Sequence, residues 1–396
     1  MKSEERETNE GRTESSSFTS SAASWESEEE KEETQTLSQW QLMWRNFKKH
    51  RLAIAAVVVL GFFYLIALTC GFVAPNDPHK RYSKYIFVPP QIPRFIDAEG
   101  QFHFQPFVYG LKQEMDPVTW ERTYVLDKSE VYPLKLFVKG DPYKFLGLFQ
   151  TRIHLFGTGT EAPFFMLGSD DLGRDLFSRV IYGARISLSI GLIGVFMGLI
   201  LGMLLGGASG LYGGVVDMVI QRTIEILRSI PKIPLWMGLF AALPASWSPI
   251  KVYFAITILL SLVGWTDVAR VVRGKFLSLR EEDFVMAAHS FGTSQLAIIV
   301  RHLIPNFISY VLVRLTLSIP WMILGETQLS FLGIGLRPPV ISWGVLLQQA
   351  QNMRTVSTHP WLLLPGFFVV VAVLAFNFVG DGLRDAADPY SALRGK

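Results

Sequence analysis

Three sets of residues in this chain are of types that do chemistry. Asp170, Asp171 and Asp175 surround Gly173 and would offer oxygens to a calcium ion. They lack the twelve-residue spacing and the terminal bidentate Glu of a calcium loop, and the seven His residues show no ligand spacing, so no metal is expected on this chain. Arg222, Glu225, Arg228, Arg314 and Glu326 stand in largely apolar stretches. At mid-depth in lipid each would cost at least about 2.5–3.5 kcal/mol. They are therefore expected to face a bundle interior, either lining a water-filled pathway or pairing between helices. On one helix Arg314 lies about 12 Å beyond Asn306 and Glu326 about 18 Å further, so these two do not pair with each other. The same distance removes the catalytic pair that a membrane protease or transferase would need. There is no G-x-x-x-x-G-K-[ST], no H-E-x-x-H and no G-x-S-x-G, so the chain has no phosphate-cradling loop of its own. It reads as a non-enzyme.

The third set is the stretch Ser278 to Asn306, SLREEDFVMAAHSFGTSQLAIIVRHLIPN. Ser278 with Glu281 three residues on forms a capping box, and Glu281, Glu282 and Asp283 complement the dipole of a first helical turn. Phe284, Ala287, Ala288 and Phe291 recur at i, i+3, i+4 and i+7, a narrow apolar face, and Gly292 ends the helix. A second helix then runs to Leu303, with Arg301 and His302 near its end. Arg270, Arg273, Lys275 and Arg280 flank the motif and place it on the cytoplasmic side. A short capped helix over 279–291 displayed there is shaped to enter a groove on a partner.

What positions these residues is a membrane bundle. Hydrophobic residues make up 49% of the chain and charged ones only 18%, with mean hydropathy +0.29. That is too apolar for a soluble enzyme, whose charged share runs near a quarter. The single cysteine, Cys70, excludes a disulfide framework. Residues 1–36 hold eleven acids against four bases, a balance of −7 that leaves +10 on the rest of a chain whose total is +3. Rich in Glu, Ser and Thr, this tail is expected to be disordered and, starting acidic, is no secretory signal.

Residues 37–75 carry an interfacial segment and the first span. Trp40, Met43, Trp44 and Phe47 sit at helical spacing beside Arg45, Lys48, Lys49, His50 and Arg51. Leu52 to Ala74 is uncharged and long enough to cross, with its basic flank in the cytoplasm. Residues 76–166, with short alternating runs and Pro and Gly-Asp-Pro turns, predict an extracytoplasmic insertion of β character. Ile186 to Val216 is a second clear span, in which Gly194, Gly198, Gly202, Gly206 and Gly210 lay a small-residue stripe along one face for close helix packing. Pro360 to Gly380 is a third. Three interrupted stretches, 217–250, 252–272 and 303–336, bring the expected count to six, with both termini in the cytoplasm. The fold class is thus an all-α polytopic membrane protein with a β insertion. An ion-coupled secondary transporter is the competing class; no repeat of the spans supports it, and a docking helix has no role there.

The motifs carry a resemblance. MAAHSFG (286–292) followed by RHLIPN (301–306) resembles the coupling loop of ABC importer permeases, whose pattern is Glu-Ala-Ala, then Gly, then a hydrophobic-Pro element. Four further segments are similar to the peptide, nickel and oligosaccharide branch: LGSDDLGRDLFSRVIYGARISL (167–188), GGVVDMVIQRTIEILRSIP (213–231), ETQLSFLGIGLRPPVISWG (326–344) and FNFVGDGLRDAADP (376–389). WRNFKKHRLA (44–53) leading to VAPNDP (73–78) is similar to the C-type subunit of dipeptide and oligopeptide systems. The resemblance implies the six-helix type I importer permease fold over residues 167–390, with the coupling loop at 278–306. It implies one half of a translocation pathway, for peptides or alternatively oligosaccharides or nickel. It also implies a homologous second permease, two ATPase subunits that use ATP and Mg, an extracytoplasmic solute-binding protein, and a bacterial inner membrane. No nucleic acid is expected. The coupling residues would be Glu281, Glu282, Phe284, Met286, Ala287, Ala288, Phe291 and Gly292. Met286 departs from the usual Glu, and the 81–165 stretch exceeds that of short dipeptide permeases.

Overall fold

The computed structural model describes residues 39–115, 117, 122–159, 162–244, 246–279, 282–293, 297 and 304–387. The acidic tail expected at 1–36, Arg280, Glu281, and the second helix expected to end at Leu303 with Arg301 and His302 lie outside these residues, Ala297 excepted.

The chain opens with α1 (Gln39–Phe47), an amphipathic helix whose Phe47 is buried against Ala53 and Ala386 while Trp40 and Trp44 stay exposed. Helix α2 (Arg51–Leu68) follows. The sequence expects this span to continue to Ala74, but it stops at Thr69, whose Oγ1 donates to Leu65 O at 2.7 Å. A single turn, α3 (Cys70–Val73), then lies with Gly71 under the Tyr143 ring. Contact with the strand segment thus redirects the chain where hydropathy alone would extend it.

Five antiparallel strands follow: β1 (Arg94–Ile96), β2 (Phe102–Met115), β3 (Arg122–Pro133), β4 (Lys135–Phe145) and β5 (Phe149–Gly157). The first three form one sheet in the order β1-β2-β3, with a bulge between Tyr109 and Gly110, and β4 and β5 form a separate hairpin.

Helix α4 (Leu176–Tyr212) starts ten residues before the expected span because Asp175 caps it, accepting from Phe177 N and Ser178 N. After it come α5 (Gly214–Ser229) and α6 (Lys232–Ala241), separated by extended backbone at Ile230 and Pro231. Helix α7 (Pro249–Leu279) lies along α4 on the glycine stripe. A Cβ at Gly202 would stand 2.5 Å from Val268 Cβ, and one at Gly210 2.8 Å from Phe276 Cβ. Close helix packing is what the stripe provides.

Then come α8 (Asp283–Ser290), α9 (Ile304–Phe331), α10 (Trp343–Leu347), α11 (Met353–Thr358) and α12 (Leu364–Ala387), the last preceded by a 3₁₀ turn at Pro360–Leu363. The main core joins α2, α4, α9, α10 and α12 through Phe63, Leu188, Ile323, Trp343 and Phe376. Among the described residues four helices are long and apolar enough to cross a membrane: Arg51–Leu68, Leu176–Tyr212, Pro249–Ser278 and Pro360–Ala387.

Candidate functional site

The candidate expected to dock a partner is built on α8. Ser278, expected to cap this helix, belongs instead to the last turn of α7, and Glu281, its partner in the expected capping box, lies outside the described residues. Phe276, two residues before Ser278, is buried against Gly207 and Gly210 of α4, and that packing holds α7 helical past the capping signal. The helix begins instead at Asp283, with Glu282 O accepting from Val285 N at 3.0 Å and Met286 N at 3.1 Å. Val285 is buried in a cluster with Leu199, Val272, Phe276 and Val311, which anchors α8 to three long helices. Sequence reasoning missed this anchor, since a lone Val between two periodic faces carries no special signal.

The opposite side of α8 faces outward. Met286 is 51% exposed, Phe291 89%, and Glu282, Ala287 and Ser290 are exposed as well. Gly292 takes φ +74, the left-handed turn that glycine adopts without strain, and Phe291 N donates to Ala287 O at 3.0 Å. Phe284 and Ala288 lie within the helix. Among the described side chains the arrangement is a short helix held by buried Val285 and presenting an apolar edge.

The internal candidates separate into distinct environments. Arg222 and Glu225 form an exposed i, i+3 pair at 2.7 Å on α5. Arg228 Nη1 lies 2.5 Å from Asp267 Oδ1 of α7, and Lys232 Nζ approaches the other oxygen at 3.5 Å. A pair that the sequence reading did not single out joins the same helices: Arg273 Nε and Nη2 hold Asp217 in a bidentate fork at 2.6 and 2.5 Å, with Ser209 Oγ donating to Asp217 Oδ1. A carboxylate and an Arg 56 residues apart give no local pattern to find.

Glu326 is fully buried, so in this conformation it holds the bundle together and does not line an open pathway. Ser330 Oγ and Ser342 Oγ donate to it at 2.8 and 2.7 Å, and Ser187 Oγ lies 3.4 Å away. Arg314 is partly buried, and its Nε has no hydrogen-bond partner among the described residues.

On the side of the strands, Asp170 is buried between Arg174 Nε at 2.7 Å and Arg179 Nη1 at 2.6 Å, a charge cluster closed on itself. Asp175 accepts from Ser178 Oγ at 2.5 Å and Asn76 Nδ2 at 3.2 Å, tying the end of α3 to the start of α4. Complete burial pushes its carboxyl up to about 6, against the opposing pull of those hydrogen bonds. Among the described residues no three His, Cys, Asp or Glu side chains gather as a metal site.

Two family profiles match the chain. Binding-protein-dependent transport system inner membrane component covers residues 194–390, and the N-terminal TM domain of oligopeptide transport permease C covers residues 38–90. The oligopeptide transport system permease protein OppC of Escherichia coli (strain K12) is 47% identical over 223 residues, 56% of this chain and 71% of that one. OppC of Bacillus subtilis (strain 168) is 37% identical over 223 residues, 56% and 70% of the two chains. The dipeptide transport system permease protein DppC of Lactococcus lactis subsp. cremoris (strain MG1363) is 31% identical over 360 residues, 89% and 91% of the two chains.

Proposed function

The chain belongs to the family of inner-membrane components of binding-protein-dependent transport systems, and we propose that it is a permease subunit of an ABC importer for peptides. It is a multi-pass membrane protein, with four helices of spanning length and composition among the described residues. The proposed bundle has six spans. Helix α9, interrupted by Arg314, Pro320 and Glu326, is one of the two beyond those four, and the broken pair α5 and α6 is the other. Both termini lie in the cytoplasm, the strand segment within 76–166 lies outside, and residues 167–390 form the permease domain.

The observation that carries the coupling role is α8, anchored by Val285 and presenting Met286, Ala287 and Phe291 outward. A separate ATPase subunit receives that edge in a groove, with the contributions of Glu281, Glu282, Phe284, Ala288 and Gly292 as the motif implies. A second, homologous permease completes the pathway, two ATPases supply ATP hydrolysis, and an extracytoplasmic binding protein delivers cargo. Closure of the ATPases moves α8, and through Val285 the bundle changes the side to which it opens. Bound peptide shifts that equilibrium only by its difference in affinity for the two states. Met286, where the coupling motif has Glu, makes the contact by packing, a role its flexible thioether suits.

Uptake of a labelled tripeptide and a labelled oligosaccharide in cells with and without the gene tests the proposal. Loss of tripeptide uptake alone is expected. Loss of oligosaccharide uptake alone would replace the cargo, and unaltered uptake of both would refute peptide import.

A further inference from the structure

A groove of about 350 Å³ runs between α6 and α9, walled by Lys232, Trp236, Trp321, Gly325 and Gln328. On α9 the last three recur at i, i+4 and i+7, so they form one stripe about 10 Å long. Trp321 is 75% exposed although its neighbours Met322 and Ile323 are buried, and Gln328 is exposed on a helix whose adjoining residues Thr327 and Leu329 are buried. Gly325 between them makes room for an indole: a Cβ there would stand 3.2 Å from the Trp236 ring and 3.6 Å from Leu260 Cδ2. Among the described residues the buried Trp236 Nε1 donor has no acceptor and the exposed Gln328 carboxamide has no hydrogen-bond partner.

The groove lies deep in the membrane. Leu260 is eleven residues into α7, about 16 Å along a helix that crosses a core of about 30 Å. At that depth non-helical backbone persists only inside protein or against water. Ile230 and Pro231 are extended there and both exposed. An exposed carboxamide without a partner is likewise disfavoured against lipid tails. The seam opens again toward Trp247 and Arg337, in a second cavity of about 310 Å³.

We propose that this stripe, Trp321–Gly325–Gln328 with Trp236, is the surface over which this subunit contacts a peptide in transit. The Gln328 carboxamide presents a donor and an acceptor in one plane, the complement of a peptide amide, and the two indoles offer faces that tolerate varied side chains. The inference rests on the peptide-import reading for its cargo, but the exposure of the groove to water does not.

The test uses the assembled transporter in proteoliposomes. Cys70 is buried and is the one native thiol of this chain, so labelling of a Gln328→Cys variant is read on this subunit after it is resolved from the others. The expected result is reaction with a hydrophilic thiosulfonate, slowed severalfold by loaded binding protein and ATP. The Gln328→Cys substitution itself should cut tripeptide uptake roughly tenfold, the scale of one lost hydrogen bond, while ATP hydrolysis continues. Trp321→Ala should alter the preference between tri-phenylalanine and tri-alanine and leave assembly intact. Reaction only with a lipid-soluble maleimide would place lipid on the stripe, and no reaction in the assembled complex would place a partner helix there. Either outcome overturns the inference. Thiosulfonate labelling of Gln328→Cys with no peptide uptake by the unmodified complex would strike the import reading and leave the water-exposed groove standing.

Discussion

Ser342 Oγ donates to Glu326 Oε1 at 2.7 Å while accepting from Val345 N at 3.2 Å. Ser330 repeats the relay, donating to the same oxygen and accepting from Leu336 N at 3.0 Å. Ser187 of α4 accepts from Trp343 N at 3.1 Å and faces the other carboxylate oxygen. One side chain thus organises three backbone amides of the segment after α9 through three hydroxyls.

Glu326→Leu should therefore be costly. It leaves hydroxyls buried without their acceptor, at about 1–3 kcal/mol for each unsatisfied group. Glu326→Gln keeps an acceptor oxygen and should lose less. Thermal unfolding of the purified complex in detergent should order the two variants with Gln the more stable. The reverse order would show that packing, not the relay, governs this site.

Asp175 sets a pH dependence. Its carboxyl titrates at about 6 in the fold against an ordinary 3.8, so folding favours the protonated form. That advantage is complete below pH 3.8 and lost as pH rises through about 6, a change of about 3 kcal/mol. The stability of the Asp175→Asn variant relative to the unmodified chain should rise across that window and level off above it. A difference curve that stays flat from pH 4 to 7 would contradict the assignment.

Gly206→Val should disrupt the seam of α4 and α7. A Cβ at Gly206 would stand 2.8 Å from Ala269 Cα, which is backbone and cannot swing aside. Overpacking of this kind costs typically 1–3 kcal/mol. Gly238, where an added Cβ meets nothing within 4 Å, provides the control: Gly238→Ala should leave membrane yield unchanged.

Ala287→Arg places a long charged side chain on the outward edge of α8 and should uncouple ATP hydrolysis from uptake without preventing insertion. Gly292→Pro should do the same, because proline fixes φ near −65° whereas this turn takes +74. Uptake and hydrolysis assayed together in vesicles decide the matter. Normal coupling in both variants would remove α8 from the ATPase contact.

The parts of the fold legible in the sequence are those carried by local periodicity. The glycine stripe every fourth residue announced its own packing surface, and the run from Ile186 lies inside α4 as far as Tyr212, where Gly213 breaks the helix four residues before the expected end at Val216. Boundaries set by tertiary contact were not legible. Thr69 ends α2 where Gly71 slips under Tyr143, and Ser278 stays helical because Phe276 is buried two residues earlier. Site residues divide in the same way. The α8 motif is contiguous and was found, whereas Asp217 with Arg273, and Glu326 with Ser187, come together across 56 and 139 residues.

Helix α4, capped by Asp175 at one end and clasped by Phe276 near the other, is 37 residues of unbroken helix. At 1.5 Å per residue it is about 55 Å long, nearly twice the thickness of a bilayer core of about 30 Å. Such a rod is a lever. A tilt of about 5° about its Asp175 end sweeps the far tip through about 5 Å, roughly one helical turn. Small rotations at the Asp175 end are thereby geared up into displacements of several ångströms at the Tyr212 end, the scale on which one helix slides past its neighbour.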